Sequence, residues 1–211
     1  MAESDQFNNF LLGEYDNALL NLEQNSPEQW QDCAPQNFLI VRKIGEGCWK
    51  EVFKVLEHST GRSMALAMLK RDTGAEHRDR FVREARLTAQ LDHPGIVPVY
   101  SWSLDADDRP YFLMKDIDGP TLTEWLRQIS AFSDILEQFV KICHAVSYAH
   151  SRGVLHLDLK PQNCRFDAYG EPIVLDWGLA AIVDPHLCGL IEKEFCLYKD
   201  NVAGTRRGTP P

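Results

Sequence analysis

A chain of 211 residues with 44% hydrophobic content can bury a real core and fits one domain or a small two-lobed one. Its formal net charge of −9 argues against non-specific nucleic-acid binding, and neither an apolar run of membrane-spanning length nor a basic leader is present, the first six residues being acidic. The six cysteines (Cys33, Cys48, Cys143, Cys164, Cys188, Cys196) lack Cys-x-x-Cys pairs and regular spacing, so reduced thiols in a cytoplasmic protein are expected, with no disulfide framework, zinc site or membrane partner.

Residues 1–37 are acidic and rich in Asn and Gln. Phe7, Phe10, Leu11, Ala18, Leu19 and Leu22 fall at helical spacing there, which predicts a short amphipathic helix that either pads the next unit or docks another protein. Pro27 and Pro35 bracket a linker. From residue 38 the pattern turns to strands, over 38–44, 51–57 and 63–69, with turn chemistry at Ser59-Thr60-Gly61. The first two are joined by Gly45-Glu46-Gly47-Cys48-Trp49-Lys50, whose glycines allow backbone amides to approach phosphate oxygens. Side chains two apart on a strand share a face, so Lys50 goes with Val52 and Ala65 with Ala67, while Lys70 points away from Ala67.

A helix is expected over 77–91, with Phe81, Ala85, Thr88 and Leu91 as its inward stripe. Glu84 lies in that stripe. It is either one tolerated glutamate or a carboxylate that needs a cation, because an unpaired buried charge is costly. His93 to Tyr100 ends the helix and opens a fourth strand, and 110–117 reads as a fifth. Gly119 and Pro120 break the chain before Thr121 caps a helix through Gln128. Residues 133–151 form a long helix, apolar nearly all round between Phe139 and Ala149, and it is expected to be buried.

Most informative is His156-Leu157-Asp158-Leu159-Lys160-Pro161-Gln162-Asn163, followed after the apolar run Ile173, Val174, Leu175 by Asp176-Trp177-Gly178. One carboxylate for an attacking hydroxyl, a lysine for phosphate charge, and an amide with a second carboxylate for a metal make a phosphoryl-transfer set. With the Gly45/Gly47 hairpin, this stretch resembles the catalytic loop of the eukaryotic-type protein kinases, in the version shared by bacterial serine/threonine kinases. The resemblance implies an α+β, protein-kinase-like fold, with a five-stranded antiparallel N-lobe and an incomplete, mostly helical C-lobe. It divides the chain into an extension (1–37), an N-lobe with hinge (38–117) and a partial C-lobe (118–211).

It further implies ATP and Mg²⁺ as cofactors and a protein serine or threonine hydroxyl as acceptor. Asp158 would orient the hydroxyl and take its proton, Lys160 would stabilise phosphate charge, and Asn163 and Asp176 would hold Mg²⁺. Thr209 would hydrogen-bond the catalytic acid and lysine. Gly45 and Gly47 would cover the phosphates; Val52 and Ala65 would enclose adenine; Met114 would be the gatekeeper, and the backbone of Lys115 and Ile117 would meet the adenine edge.

Several positions depart from the family pattern. Lys50 stands at its third glycine and Ala67 at its strand-three lysine, a swap similar to that of the with-no-lysine kinases, in which Glu84 would pair with Lys50. Arg165 replaces the apolar floor under adenine, and Leu157 replaces the arginine that binds a phosphorylated activation loop. Tyr198 and Thr205 are candidate modification sites. Gly208-Thr209-Pro210 resembles the point at which the family continues into further lower-lobe helices, so a second copy or a partner is expected to cover the long helix. Two readings stand: an active kinase with a relocated lysine, or a pseudokinase or inactivated, truncated kinase serving as a nucleotide-binding or interaction scaffold.

Overall fold

The computed structural model describes residues 35, 37–129 and 131–184. The helix expected within 1–37, and Tyr198, Thr205 and Thr209, lie outside the described residues.

Strands β1 (Phe38–Glu46), β2 (Lys50–Glu57), β3 (Ser63–Leu69), β4 (Val99–Leu104) and β5 (Pro110–Lys115) form one five-stranded sheet in the order β1-β2-β3-β5-β4, every neighbouring pair antiparallel. Its centre is β3, whose unbroken apolar run Met64 to Leu69 is buried on both faces, as a central strand's must be. Met64, Leu66 and Met68 pack with Ile40, Phe53 and Val55 on one side. Ala67 and Leu69 meet Phe81, Ala85 and Phe112 on the other. The small side chains of Ala65 and Ala67 on that second face leave the room in which a cavity forms.

Helix α1 (Ala75–Ala89) begins and ends two residues earlier than its apolar stripe suggested, and Leu91, just beyond it, is still buried. It covers the second face of the sheet with Phe81 and Ala85. Helix α2 (Leu122–Leu126) starts from a capping box: Thr121 Oγ1 accepts from the Glu124 backbone N–H while the Glu124 carboxylate accepts from that of Thr121. Gly119, just before it, passes so close to Phe166 that a Cβ would lie 2.1 Å from the Phe166 carbonyl oxygen, so no other residue fits.

Helix α3 (Phe132–Ser151) corrects an expectation. Only Ile142, Ala145 and Ala149 are buried, whereas Phe132 is 75% and Phe139 60% exposed. Apolar residues all round a helix state what each face prefers, not what stands opposite it. One face of α3 packs against β6 (Val154–Leu155), β8 (Pro172–Val174) and Gly95, and among the described residues the Phe139 side is left open. Two small sheets complete the lower part. β6 pairs with β9 (Ala181–Ile182), and β7 (Cys164–Phe166) pairs with β8. Between them lies a 3-10 turn, Pro161–Asn163, in which Asn163 is buried.

The two parts share a core. Leu87 of α1 and Leu91 pack in one cluster with Ile96, Ala145, Val154, Val174 and Trp177. The connection after β5 is pinned from above, since Lys54 contacts Asp116 at 2.9 Å and Asp118 at 3.1 Å and Ser63 Oγ donates to Asp116. No helix among the described residues is long and apolar enough to cross a membrane.

Candidate active site

In the β2–β3 register Val52 lies directly opposite Ala67 and Lys50 opposite Leu69. The period of two therefore sends Lys50 and Val52 into the same space as Ala65 and Ala67. That space is a cavity of about 360 Å³ beneath the β1–β2 hairpin, within the range of small-molecule sites. Gly45, Gly47, Lys50 and Val52 roof it, Ala65 and Met114 stand behind, Lys115 and Ile117 border it at the hinge, and Arg165 lies on its floor. Asn163 and Asp176 close the far end. The Lys115 backbone N–H is already given to the Pro98 carbonyl, at 3.0 Å.

Lys50 reaches across this space. Its Nζ lies 2.5 Å from Glu84 Oε1 and 2.9 Å from Asp176 Oδ1. The hairpin holds it there through backbone hydrogen bonds from Gly47 N–H to the Lys50 carbonyl and from Lys70 N–H to the Trp49 carbonyl, both 2.8 Å. Burial alone would depress the ammonium, but the charges of Glu84 and Asp176 outweigh it and hold Lys50 above the ordinary lysine value. Glu84 is only 9% exposed, and burial raises its carboxyl against the attraction of Lys50. Gly178 makes room for that carboxylate: a Cβ there would lie 3.0 Å from Glu84 Oε2. Lys70, by contrast, pairs with Glu46 at 2.7 Å and is no part of the cavity wall.

The catalytic loop is knitted to the strand after it. His156 Nε2 donates to the Leu175 carbonyl at 3.0 Å and its Nδ1 accepts from the Asp158 backbone N–H at 3.3 Å, while its ring packs on Trp177 at 4.5 Å. Leu175 N–H donates in turn to the Asn163 carbonyl, at 2.8 Å. Leu157 and Asp176 both hold left-handed backbone, with φ of 61° and 59°, a cost of order 1–3 kcal/mol each that the surrounding bonds sustain. Asp158 Oδ2 accepts from Lys160 Nζ at 2.6 Å and from Asn163 Nδ2 at 3.1 Å. The hydrogen bond from Lys160 is the chief reason that the Asp158 carboxyl lies below its ordinary value; the lysine's charge and the Asn163 amide add to it. Asn163 spends Nδ2 on Asp158, which leaves Oδ1 as its donor to a cation.

A family model, the protein kinase domain, matches residues 38–207. The chain belongs to the protein kinase family. Curated relatives include the serine/threonine-protein kinase PknD of Protochlamydia amoebophila, 37% identical over 164 residues that cover 70% of this chain and 16% of the relative. PknD of Chlamydia trachomatis serovar D is 33% identical over 200 residues, 83% of this chain and 21% of that protein, and PknD of Chlamydia caviae is 38% identical over 160 residues, 69% and 17%. The chain thus spans about a fifth or less of the length of these relatives.

In this cleft Asp176 and Asn163, a carboxylate and an amide oxygen, could hold a metal. Hard oxygen donors of this kind would suit Mg²⁺. Among the described residues no group of three or more His, Cys, Asp or Glu side chains could hold a metal. Three features escaped the sequence reading. His156 and Trp177 brace the loop from behind, Trp49 stacks on His77 with ring centroids 3.6 Å apart, and Asp158 opens not into the main cavity but into a neighbouring one. Each depends on segments distant in sequence, and no local pattern announces it.

Proposed function

We propose that this kinase domain transfers the γ-phosphoryl group of ATP to a serine or threonine hydroxyl of a protein, with Lys50 in the role of the nucleotide lysine. The observation that carries the reading is the position of Lys50 Nζ, between Glu84 and Asp176 in a cavity whose back wall has only Ala67 where the family has a lysine. Asp158 accepts the hydroxyl proton as the hydroxyl oxygen bonds to the γ-phosphorus and the bond to the ADP oxygen breaks. Lys160, released from Asp158, and Lys50 take up phosphate charge. Glu84 positions Lys50. Asn163 and Asp176 would hold Mg²⁺, which supplies charge neutralisation at the phosphates when bound. Thr209 would hydrogen-bond Asp158 and Lys160 in the same scheme. The reading also takes residues 38–117 as N-lobe and 118–211 as partial C-lobe, with a second copy or a partner over the open face of α3.

One observation favours a second reading, a pseudokinase scaffold. Arg165 sits on the cavity floor with its Nε buried and, among the described residues, without a hydrogen-bond partner, a poor seat for adenine. Calorimetry with ATP and Mg²⁺, followed by a radiolabel transfer assay, separates the two. Binding with transfer supports the kinase, and binding without transfer the scaffold. Lys50→Ala is expected to abolish transfer while Lys70→Ala leaves it; equal activity of Lys50→Ala and the parent chain would remove the relocated lysine from the scheme.

A further inference from the structure

A second cavity, of about 340 Å³, adjoins the first and shares with it Gly47, Lys50, Glu84 and Asp176. Asp158 lines this second cavity and not the first. A group that reaches Asp158 from here meets the phosphate end of the main cavity across the wall formed by Lys50 and Asp176. That is the side from which an acceptor hydroxyl must come. Of the remaining walls, Trp49, Leu69, Phe81 of α1 and Leu179 are apolar, while His77, stacked on Trp49, and Arg80, paired with Glu76 at 2.6 Å, are polar groups already engaged. Trp49 and Leu179 are 53% and 61% exposed, and Leu157 and Leu159, on either side of Asp158, are exposed as well. Large apolar side chains that stay in solvent beside a reactive carboxylate are what a binding surface presents. Trp49 is also a fixed wall, since its ring stacks on His77 and its carbonyl accepts from Lys70 N–H.

The geometry points to a docking cavity for the acceptor: a protein segment in which the serine or threonine is flanked by bulky apolar residues that enter between Trp49, Phe81 and Leu179. This rests on the reading of Asp158 as the group that takes the hydroxyl proton. It adds a substrate class, because an apolar side chain gains by leaving water against Trp49, Phe81 and Leu179, whereas a polar one would lose its hydration beside a His77 already stacked on Trp49 and an Arg80 already paired with Glu76.

Two short peptides test it, identical except that the single serine is flanked on both sides by leucine in one and by glutamine in the other. Each is titrated into the full chain with tryptophan emission as the readout of binding, and each is then offered as substrate with ATP and Mg²⁺. The leucine peptide is expected to bind about tenfold more tightly, the order of one apolar side chain moved out of water. Leu179→Gln, a change at an exposed position, should erase most of that preference without altering nucleotide affinity. Equal binding of the two peptides, tighter binding of the glutamine peptide, or no binding of either overturns the docking cavity. A leucine peptide that binds preferentially but is never phosphorylated supports the cavity and counts against the transfer activity instead, so the two failures are distinguishable.

Discussion

Lys50 and Glu84 are more tightly coupled than an ordinary surface pair, because the carboxylate is buried and the ammonium is its only cationic partner within hydrogen-bond reach among the described residues. Breaking such a pair from one side leaves an uncompensated charge. Lys50→Met should therefore destabilise the fold by about 3 kcal/mol near pH 8. The pH dependence follows from the direction of the Glu84 shift. Burial and the neighbouring Asp176 both raise its carboxyl, and without Lys50 nothing opposes them. A carboxyl whose folded pKa is raised binds protons more readily in the folded than in the unfolded chain. Stability then falls as pH rises above the unfolded value, and the deficit should be smaller at pH 5 than at pH 8. Urea denaturation at the two pH values measures it, and Lys50→Met combined with Glu84→Gln should recover most of the loss. An equal deficit at both pH values would mean that Glu84 is not the residue left stranded.

At the scale of elements, strands were the most legible part of the chain, because a period of two fixes which side chains share a face whatever lies beyond the sheet. That alone put Lys50 with Val52 in the cavity and Lys70 outside it, and the register agrees. Helix α3 was less legible for the complementary reason: hydrophobicity on every face names no neighbour, and the described residues cover only the side of Ile142, Ala145 and Ala149. The placement of Asp158 in a second cavity was hidden in the same way, since it depends on where the hairpin and α1 come to rest above the loop. The one-sided burial of α3 can be measured. Ile142→Ala should cost about 2–4 kcal/mol in denaturant unfolding, whereas Phe139→Ser should change stability by less than about 0.5 kcal/mol. Phe139→Ser should also weaken any concentration-dependent association seen by sedimentation, because it removes apolar area from the open face. A Phe139→Ser cost as large as that of Ile142→Ala would place that ring inside a core.

Across the whole molecule, the upper and lower parts are joined by more than the hinge. Trp177, 1% exposed, packs in the cluster that also contains Leu87 of α1, Ala145 and Ala149 of α3, and Val174 of β8. Trp177 thus belongs to a core that spans both sides of the cleft, while its neighbours, Asp176 and Gly178, line the site and accommodate Glu84. Removal of that ring should loosen the two parts together. Trp177→Ala is expected to cost about 3–5 kcal/mol. Its Nε1 is buried without a hydrogen-bond partner among the described residues, so Trp177→Phe gives up volume but no hydrogen bond and should cost distinctly less. Hydrogen exchange read separately on β3 and on α3 distinguishes a shared core from two independent ones. In Trp177→Ala, protection should fall by similar free energies in both elements, since each exchanges through the same opening once the cluster is broken. A loss confined to α3, with β3 unchanged, would mean that the sheet holds its stability alone and that the cleft is bridged by the hinge and by polar contacts such as the Lys50 ion pair and the hydrogen bond from Arg83 to the Ala180 carbonyl, not by a shared core.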